Sequence, residues 1–354
     1  MKKKSMPKAP GRRKLSAGAT IAAALPLAIA TIIPPVLDRT TSSTPPNAGA
    51  TSGAIPGKAT KGAAPKEFSV PISNLTEWAN TVVVTMEDVT IEGNSKVHAM
   101  SADCEIHYGA HSPNYKGDPD GLVLEPMNAC VEPFPGKTVQ SNADWIAFSN
   151  QIKNTAVTVS GVPRIWPEHL SGGNEPSNPD HAVEMHPLTS VTTTGGQNFD
   201  FSANVYAGEY TGGVSNTTAL KIAQNTTVSV TRVGNSAEIS FKAGTIGNFT
   251  VLDLVIDKDS IQSDGAGSFR MNGDVVIDEE TSAPVNIVTA KGSPINDEIE
   301  KIKGKRRKNV SMTTLVLFSL SPKALLDAAN ASQGAPVAVE KPLQLILYGP
   351  PDGN

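Results

Sequence analysis

Aromatic side chains make up only 5% of this chain and charged ones only 18%. Helical bundles and coiled coils lace their solvent faces with acidic and basic residues, so a composition this poor in charge argues against them. Ser, Thr, Asn, Gly and Val are plentiful instead, which suits turn-rich β structure. Histidine, cysteine and tryptophan are all missing after His186. Any specialised chemistry they carry therefore belongs to the first half of the chain. There is no H-E-x-x-H zinc motif, no paired C-x-x-C and no G-x-S-x-G serine elbow. Gly136-Lys137-Thr138 looks like the end of a phosphate loop, but Val131 stands where its first glycine belongs.

Acidic residues are missing from positions 1–37, while Lys2, Lys3, Lys4, Lys8, Arg12, Arg13 and Lys14 crowd the first fourteen. An uncharged, mostly apolar run from Leu15 to Leu37 follows. A basic head before an apolar stretch is the pattern of a secretory signal, since the stretch enters lipid while the positive flank stays cytoplasmic. Residues 1–37 are thus expected to be a signal peptide, with Ala28-Ile29-Ala30 as a small-x-small cleavage site, or an uncleaved membrane anchor. Residues 38–66 are mostly Ser, Thr, Pro, Ala and Gly and read as a disordered linker.

The 354 residues allow two domains, each with its own core. In the first, residues 67–198, five β segments and one helix follow in order. They are Thr81–Gly93, Val97–Ala110, Gly121–Val131, the helix of SNADWIAFSNQIKN with Ser141 as its cap, TAVTVSGVPRIW and HAVEMHPLTSV. Three strands, a helix and two strands is the element order of an OB-fold, a five-stranded barrel that binds through one face and its loops. The corresponding loop here, Pro167–Asp180, is long and polar. Segments DCEIHYGA, SGVPRIWPEHL and AVEMHPLTSV together resemble small exported bacterial OB-like domains of unassigned function. The chain departs from them at Val183, where they carry a tryptophan. The resemblance implies the barrel and no particular activity.

Cys104 and Cys130 form an even pair, expected as a disulfide in an exported protein. Asp103, Glu105 and His107 share one face of the second segment, Glu184 and His186 one face of the fifth, and Glu168 and His169 lie between. Asp103, His107, Glu168, His169, Glu184 and His186 are the candidate ligand or metal residues. Imidazole with carboxylate can hold a divalent metal, act as acid and base, or simply fix strand ends through hydrogen bonds. All three readings stand at this point.

Residues 199–354 read as a second β-rich domain, an antiparallel sandwich or open barrel. TVSVTRV-GN-SAEISF is a hairpin turning at Gly234-Asn235, and short helices fall near Asn296–Lys303 and at SPKALLDAAN, capped by Ser321. Lys305, Arg306, Arg307 and Lys308 form a basic patch beside a run of acids. The expectation is an exported, all-β protein with minor helices: an OB-like barrel followed by a sandwich-like domain. Its expected role is as a binding or structural module of the cell envelope, meeting an envelope component or small ligand through the Pro167–Asp180 loop. The rival is a metal-dependent hydrolase. Nucleic-acid binding through the OB face is a third reading, disfavoured by the acid excess beyond the N-terminus.

Overall fold

Apolar and polar residues alternate along Val84–Asn94, and that strand buries Val84, Met86, Val89 and Ile91 while Thr85, Glu87 and Thr90 face water. The computed structural model describes residues 65–171, 174–208, 213–278, 281–304 and 309–350. The expected signal or anchor, the linker up to residue 64 and the basic patch Lys305, Arg306, Arg307 and Lys308 lie outside these residues.

The first half contains β1 (Lys66–Pro71), α1 (Ile72–Asn80), β2 (Val84–Asn94), β3 (Tyr108–His111), β4 (Gly121–Leu124) and α2 (Asn142–Ile152). It continues with β5 (Ala156–Ile165), a small hairpin of β6 (Asn174–Glu175) and β7 (Asn178–Pro179), β8 (His181–Thr193) and β9 (Asn198–Asp200). Strands β2, β3 and β4 pair antiparallel in sequence, β5 pairs with both β2 and β8, and β8 runs parallel to β4. That last contact closes a five-stranded barrel. Helix α2 turns Trp145, Phe148 and Ile152 inward, where Trp145 stacks on Phe201 with centroids 5.6 Å apart. Ser141 occupies the cap position, but its side chain makes no cap bond; Asp144 pairs with Lys137 at 3.3 Å instead.

Two expected strands are shorter than their alternation suggested. The second keeps only Tyr108–His111, because Cys104 adopts a left-handed φ of 58° that breaks the extended run. The third ends at Leu124, before a turn in which Asn128 has φ 57°. The long loop is not a free arm. Its tip rests on β-strand glycines: a Cβ on Gly109 would lie 1.9 Å from the Pro176 carbonyl oxygen, and one on Gly93 would lie 2.7 Å from the Pro176 Cβ. Only glycine permits so close an approach.

The second half contains α3 (Asn216–Asn225), β10 (Thr227–Val233), β11 (Ser236–Lys242), β12 (Phe249–Ser263), β13 (Phe269–Asp278) and β14 (Thr281–Thr289). Helix α4 (Pro294–Lys303), β15 (Asn309–Leu320), α5 (Pro322–Ala331), β16 (Val337–Ala338) and β17 (Leu343–Gly349) complete it. The hairpin β10–β11 turns at Gly234 with φ 58°, and Ser293 and Ser321 cap α4 and α5 through their hydroxyls. Helices α1 and α3 were not evident in the sequence.

The second half is all-β with minor helices, as its pattern implies; of the sandwich and the open barrel expected for it, the barrel is nearer, since β12, β13, β14, β17 and β15 form a closed one. The physical reason lies in β12. This 15-residue strand pairs with β13 on one side and β15 on the other, with a break in register between Asp257 and Gln262. Such a break bends a strand and lets the sheet curl. Strand β17 then closes the circle, parallel to β14 and antiparallel to β15. Both barrels therefore share one connectivity, with strands one, two and three in series, a helix before strand four, and a parallel contact between three and five.

Strands β1, β11, β10 and β16 form a separate sheet. Between the barrels lies a band of Met127, Val162, Leu315, Leu317, Ile346 and Tyr348. Trp166 Nε1 donates to the Gly247 carbonyl at 3.0 Å, and the Ile165 amide donates to Ser319 Oγ at 3.0 Å.

Cys104 and Cys130 are disulfide-bonded, 26 residues apart in sequence. Closing a loop of that length should stabilise by roughly 3–4 kcal/mol on the chain-entropy account. Replacing both cysteines with serine should lower the unfolding free energy by that amount in urea titration. An unchanged midpoint would contradict it.

Candidate functional site

Alternation along β8 sends Val183 and Met185 into the first barrel's core, so Glu184 and His186 emerge on its outer face. Glu184 lies opposite Arg164 in the β5–β8 register. The second barrel covers that face, leaving Arg164, Glu184 and His186 each 1% exposed. Charges taken this far from water persist only when paired.

Arg164 uses its whole guanidinium. Nη1 donates to Glu184 Oε2 at 2.6 Å, Nη2 to Glu168 Oε2 at 3.3 Å, and Nε to the Phe318 carbonyl of the second barrel at 2.8 Å. The other carboxylate oxygen of Glu184 meets His181 Nε2 at 3.1 Å, and His181 Nδ1 lies 2.6 Å from the Pro179 carbonyl. His186 Nε2 lies 2.9 Å from Glu105 Oε1, while its Nδ1 faces Glu184 Oε2 at 3.4 Å and Glu125 Oε2 still closer. The Glu125 contact is an ion pair lying off the direction of a hydrogen bond. Tyr348 of β17 stacks on the His186 ring at 6.3 Å.

Titration follows from these contacts. Burial works against the charge on Glu184, yet Arg164 first, and then His181 and His186, hold its carboxyl well below the usual range. Burial also opposes charging of His186, but Glu105 foremost among its neighbours holds the imidazole well above its ordinary value. Carboxylates facing both ring nitrogens favour the charged form of His186. Glu105 shows the opposite balance, with burial outweighing His186 and pushing its carboxyl up to about 7. For Glu125, burial and Glu184 push upward, but His186 and His107 outweigh them and the net shift is downward.

The network continues outward in two directions. His169 stacks on His181 with centroids 5.0 Å apart, and burial lowers its pKa. On the other side His107 Nε2 stands 3.5 Å from Glu125 Oε1. Its ring meets that of His98 edge-on at 4.5 Å, and His98 Nδ1 bonds to Asp103 Oδ1 at 2.7 Å.

Each residue singled out from sequence thus has a place. Glu184 and His186 are at the buried centre, Glu168 and His169 at one end, and Asp103 and His107 at the other, half-open end. Arg164, His181, Glu125 and His98 are not among the residues that the sequence pattern singles out, and Glu105 enters it only as a neighbour of Asp103 and His107. Arg164 sits one residue before the Ile165-Trp166 pair in a strand that reads as buried, and an arginine there was the available signal. Glu105 reaches His186 because it lies in the loop before β3, where alternation along a strand no longer dictates direction.

Among the described residues, three groups of His, Asp or Glu have ligand atoms within 4.8 Å of one another: His98–Asp103–His107, His169–His181–Glu184 and Glu105–Glu125–His186. In the last two, Arg164 and the favoured charged form of His186 already supply the positive charge. Their arrangement acts as an electrostatic clamp between strands and between barrels. Scans of protein-family models and searches of curated proteins and solved structures return no match for the chain.

Arg164→Met would strand Glu184 as a buried charge, and breaking a buried pair costs about 3–5 kcal/mol. Because the folded pKa of Glu184 is depressed, its contribution is present above the ordinary value of 4.5 and is lost as pH falls through the depressed value. The contribution of His186, with a raised folded pKa, is complete below 6.5 and is lost as pH rises through the raised value. Urea titrations should therefore show wild type losing stability on acidification, with Arg164→Met far less stable at neutral pH and flatter in acid. Equal stability of the two proteins at neutral pH would refute the clamp.

Proposed function

We propose that this chain is an extracytoplasmic binding module built from two OB-type barrels, and that it takes a polar ligand of the cell envelope on the second barrel. Several observations support export. A basic head precedes an apolar run, and the two cysteines are bonded. Whether residues 15–37 are cleaved or stay as an anchor is part of the same proposal; among the described residues no helix is long and apolar enough to cross a membrane.

The strand order and the helix between strands three and four support the OB-type reading; ligands of OB barrels meet the face of strands two and three. In the first barrel the loop tip at Pro176 and Pro179 lies over that region, against Gly93, Gly109 and Gly121. The loop keeps Glu175 and Asp180 exposed as contacts, but the strand surface beneath is occupied by the chain itself.

The second barrel carries the observation on which the reading rests. A cavity of about 250 Å³ lies over β12, β13, β14 and β17, and a second of about 520 Å³ adjoins it between Asn286 of β14, α5 and β16. Gln262 faces Arg270 in register, and Asn272, Asn286 and Gln344 form a second row across three strands. Lys323 stands at the rim, paired with Asp327 at 2.8 Å. Arg270 donates from Nη2 to the Trp78 carbonyl at 2.8 Å, and its Nε–H has no acceptor among the described residues. A row of amides with one guanidinium suits a ligand rich in hydroxyl, amide or carboxylate groups, such as a wall glycan or its peptide. Among the described residues no aromatic side chain lines the first cavity, which speaks against stacking of nucleic-acid bases. The hydrolase reading draws less support, since the buried carboxylates are engaged with Arg164 and His186.

Cosedimentation with purified, insoluble cell-wall polymer tests the proposal. Wild type should pellet with the polymer, and Arg270→Ala should bind about tenfold more weakly or worse, the usual effect of removing a charged hydrogen bond. Asn272→Ala should weaken binding less. Absence of wild-type binding, or binding indifferent to both substitutions, would overturn it. Retention on nucleic acid that falls steeply with salt would favour the third reading instead.

A further inference from the structure

We propose that His98, Asp103 and His107 form a binding site for one divalent transition-metal ion of the zinc type. This site lies on the first barrel and does not depend on the groove of the second.

The local backbone brings the three side chains together. Residues 95–107 double back as an irregular hairpin: the Ser95 amide donates to the His107 carbonyl at 2.9 Å, and the His98 amide to the Glu105 carbonyl at 2.8 Å. The His107 amide in turn donates to Ser95 Oγ at 2.9 Å. At the bend, Cys104 is tied to Cys130, so the arm carrying Asp103 is covalently fixed to the turn that follows β4. Donors held by a cross-linked hairpin lose little freedom when an ion arrives.

Donor chemistry and spacing fit the ion. Two imidazoles and a carboxylate are a common ligand set for zinc, with bonds of about 2.0–2.2 Å and a fourth position left to water or another oxygen. Tetrahedral bonds of that length put ligand atoms about 3.3 Å apart. Here the ligand atoms lie within 4.8 Å of one another, and the His98 Nδ1–Asp103 Oδ1 pair is already at 2.7 Å. Small movements of side chains that are 28%, 22% and 17% exposed would complete the geometry.

The surroundings also separate this cluster from its two buried neighbours. Those are held around the guanidinium of Arg164 and the ring of His186, whereas no Lys or Arg pairs with His98, Asp103 or His107 among the described residues. Glu125 Oε1, 3.5 Å from His107 Nε2, backs the site. A carboxylate behind a liganding imidazole fixes its ring and strengthens it as a donor. The competing explanation is a plain His98–Asp103 hydrogen bond that fastens the hairpin and takes up no metal.

Zinc itself is the probe. The full chain, stripped with chelator and dialysed, is titrated with Zn²⁺ by calorimetry, and a parallel titration with Co²⁺ is followed by its visible absorption. One equivalent should bind, and cobalt should show the intense bands of a four-coordinate site. His98→Ala and Asp103→Asn should each weaken uptake at least tenfold. Urea titration of the metal-free variants checks that they remain folded. His111→Ala, which alters a histidine outside the cluster, should bind as wild type does. No uptake by the full chain would overturn the proposal, as would uptake undiminished in His98→Ala and Asp103→Asn or uptake lost in His111→Ala.

Discussion

Arg164 is a full positive charge placed where water cannot reach it, and much of the architecture answers to that fact. Its three donor groups reach Glu184 on the neighbouring strand, Glu168 in the following turn and the Phe318 carbonyl of the other barrel. One side chain thereby ties together two strands, a loop and two barrels. A buried ion pair seldom adds much net stability over an apolar pair of the same shape, because desolvation offsets the attraction. What it does impose is register, since any slip of β5 against β8 would leave Arg164 and Glu184 unpaired in the interior. The histidines extend the same logic, with His181 and His186 each set against the carboxylates around them.

The two barrels have one connectivity but use their outer faces differently. Glycines at positions 93, 109 and 121 let the first barrel accept its own loop against the strands. At comparable positions the second barrel places Gln262, Arg270, Asn272 and Asn286, polar side chains that keep the surface open and hydrogen-bonding. Small residues invite close packing by the chain itself, and long polar ones line a groove. The proposed division of labour, with one barrel as clamped support and the other as contact surface, follows from that difference in side chains.

Much of the first barrel was readable because its strands alternate and its helix repeats. TAVTVSGVPRIW and HAVEMHPLTSV became β5 and β8, and Trp145, Phe148 and Ile152 line one side of α2. The hairpin at Gly234 and the caps at Ser293 and Ser321 are local signals of the same kind. Closure of the second barrel was not readable, since it depends on a break in register within β12 and a parallel contact of β17 with residues far away in sequence. The candidate site was half legible. Glu184 and His186 stood out as a pair, but Glu105 and Glu125 join them only through the tertiary fold, and Cys104 turns the chain out of the strand that would have pointed Glu105 elsewhere. Short-range pattern gave elements; long-range pairing of charge did not show in it.

The buried charge network ties the two barrels into one cooperative body. Native-state hydrogen exchange across a series of urea concentrations tests this most directly, because it reports the opening free energy of each barrel separately. The slowest amides of β5 and β8 should share one opening free energy and one urea dependence with those of β12 and β15. If the two sets instead open independently in the wild-type protein, each with its own smaller dependence, the network does not join the barrels.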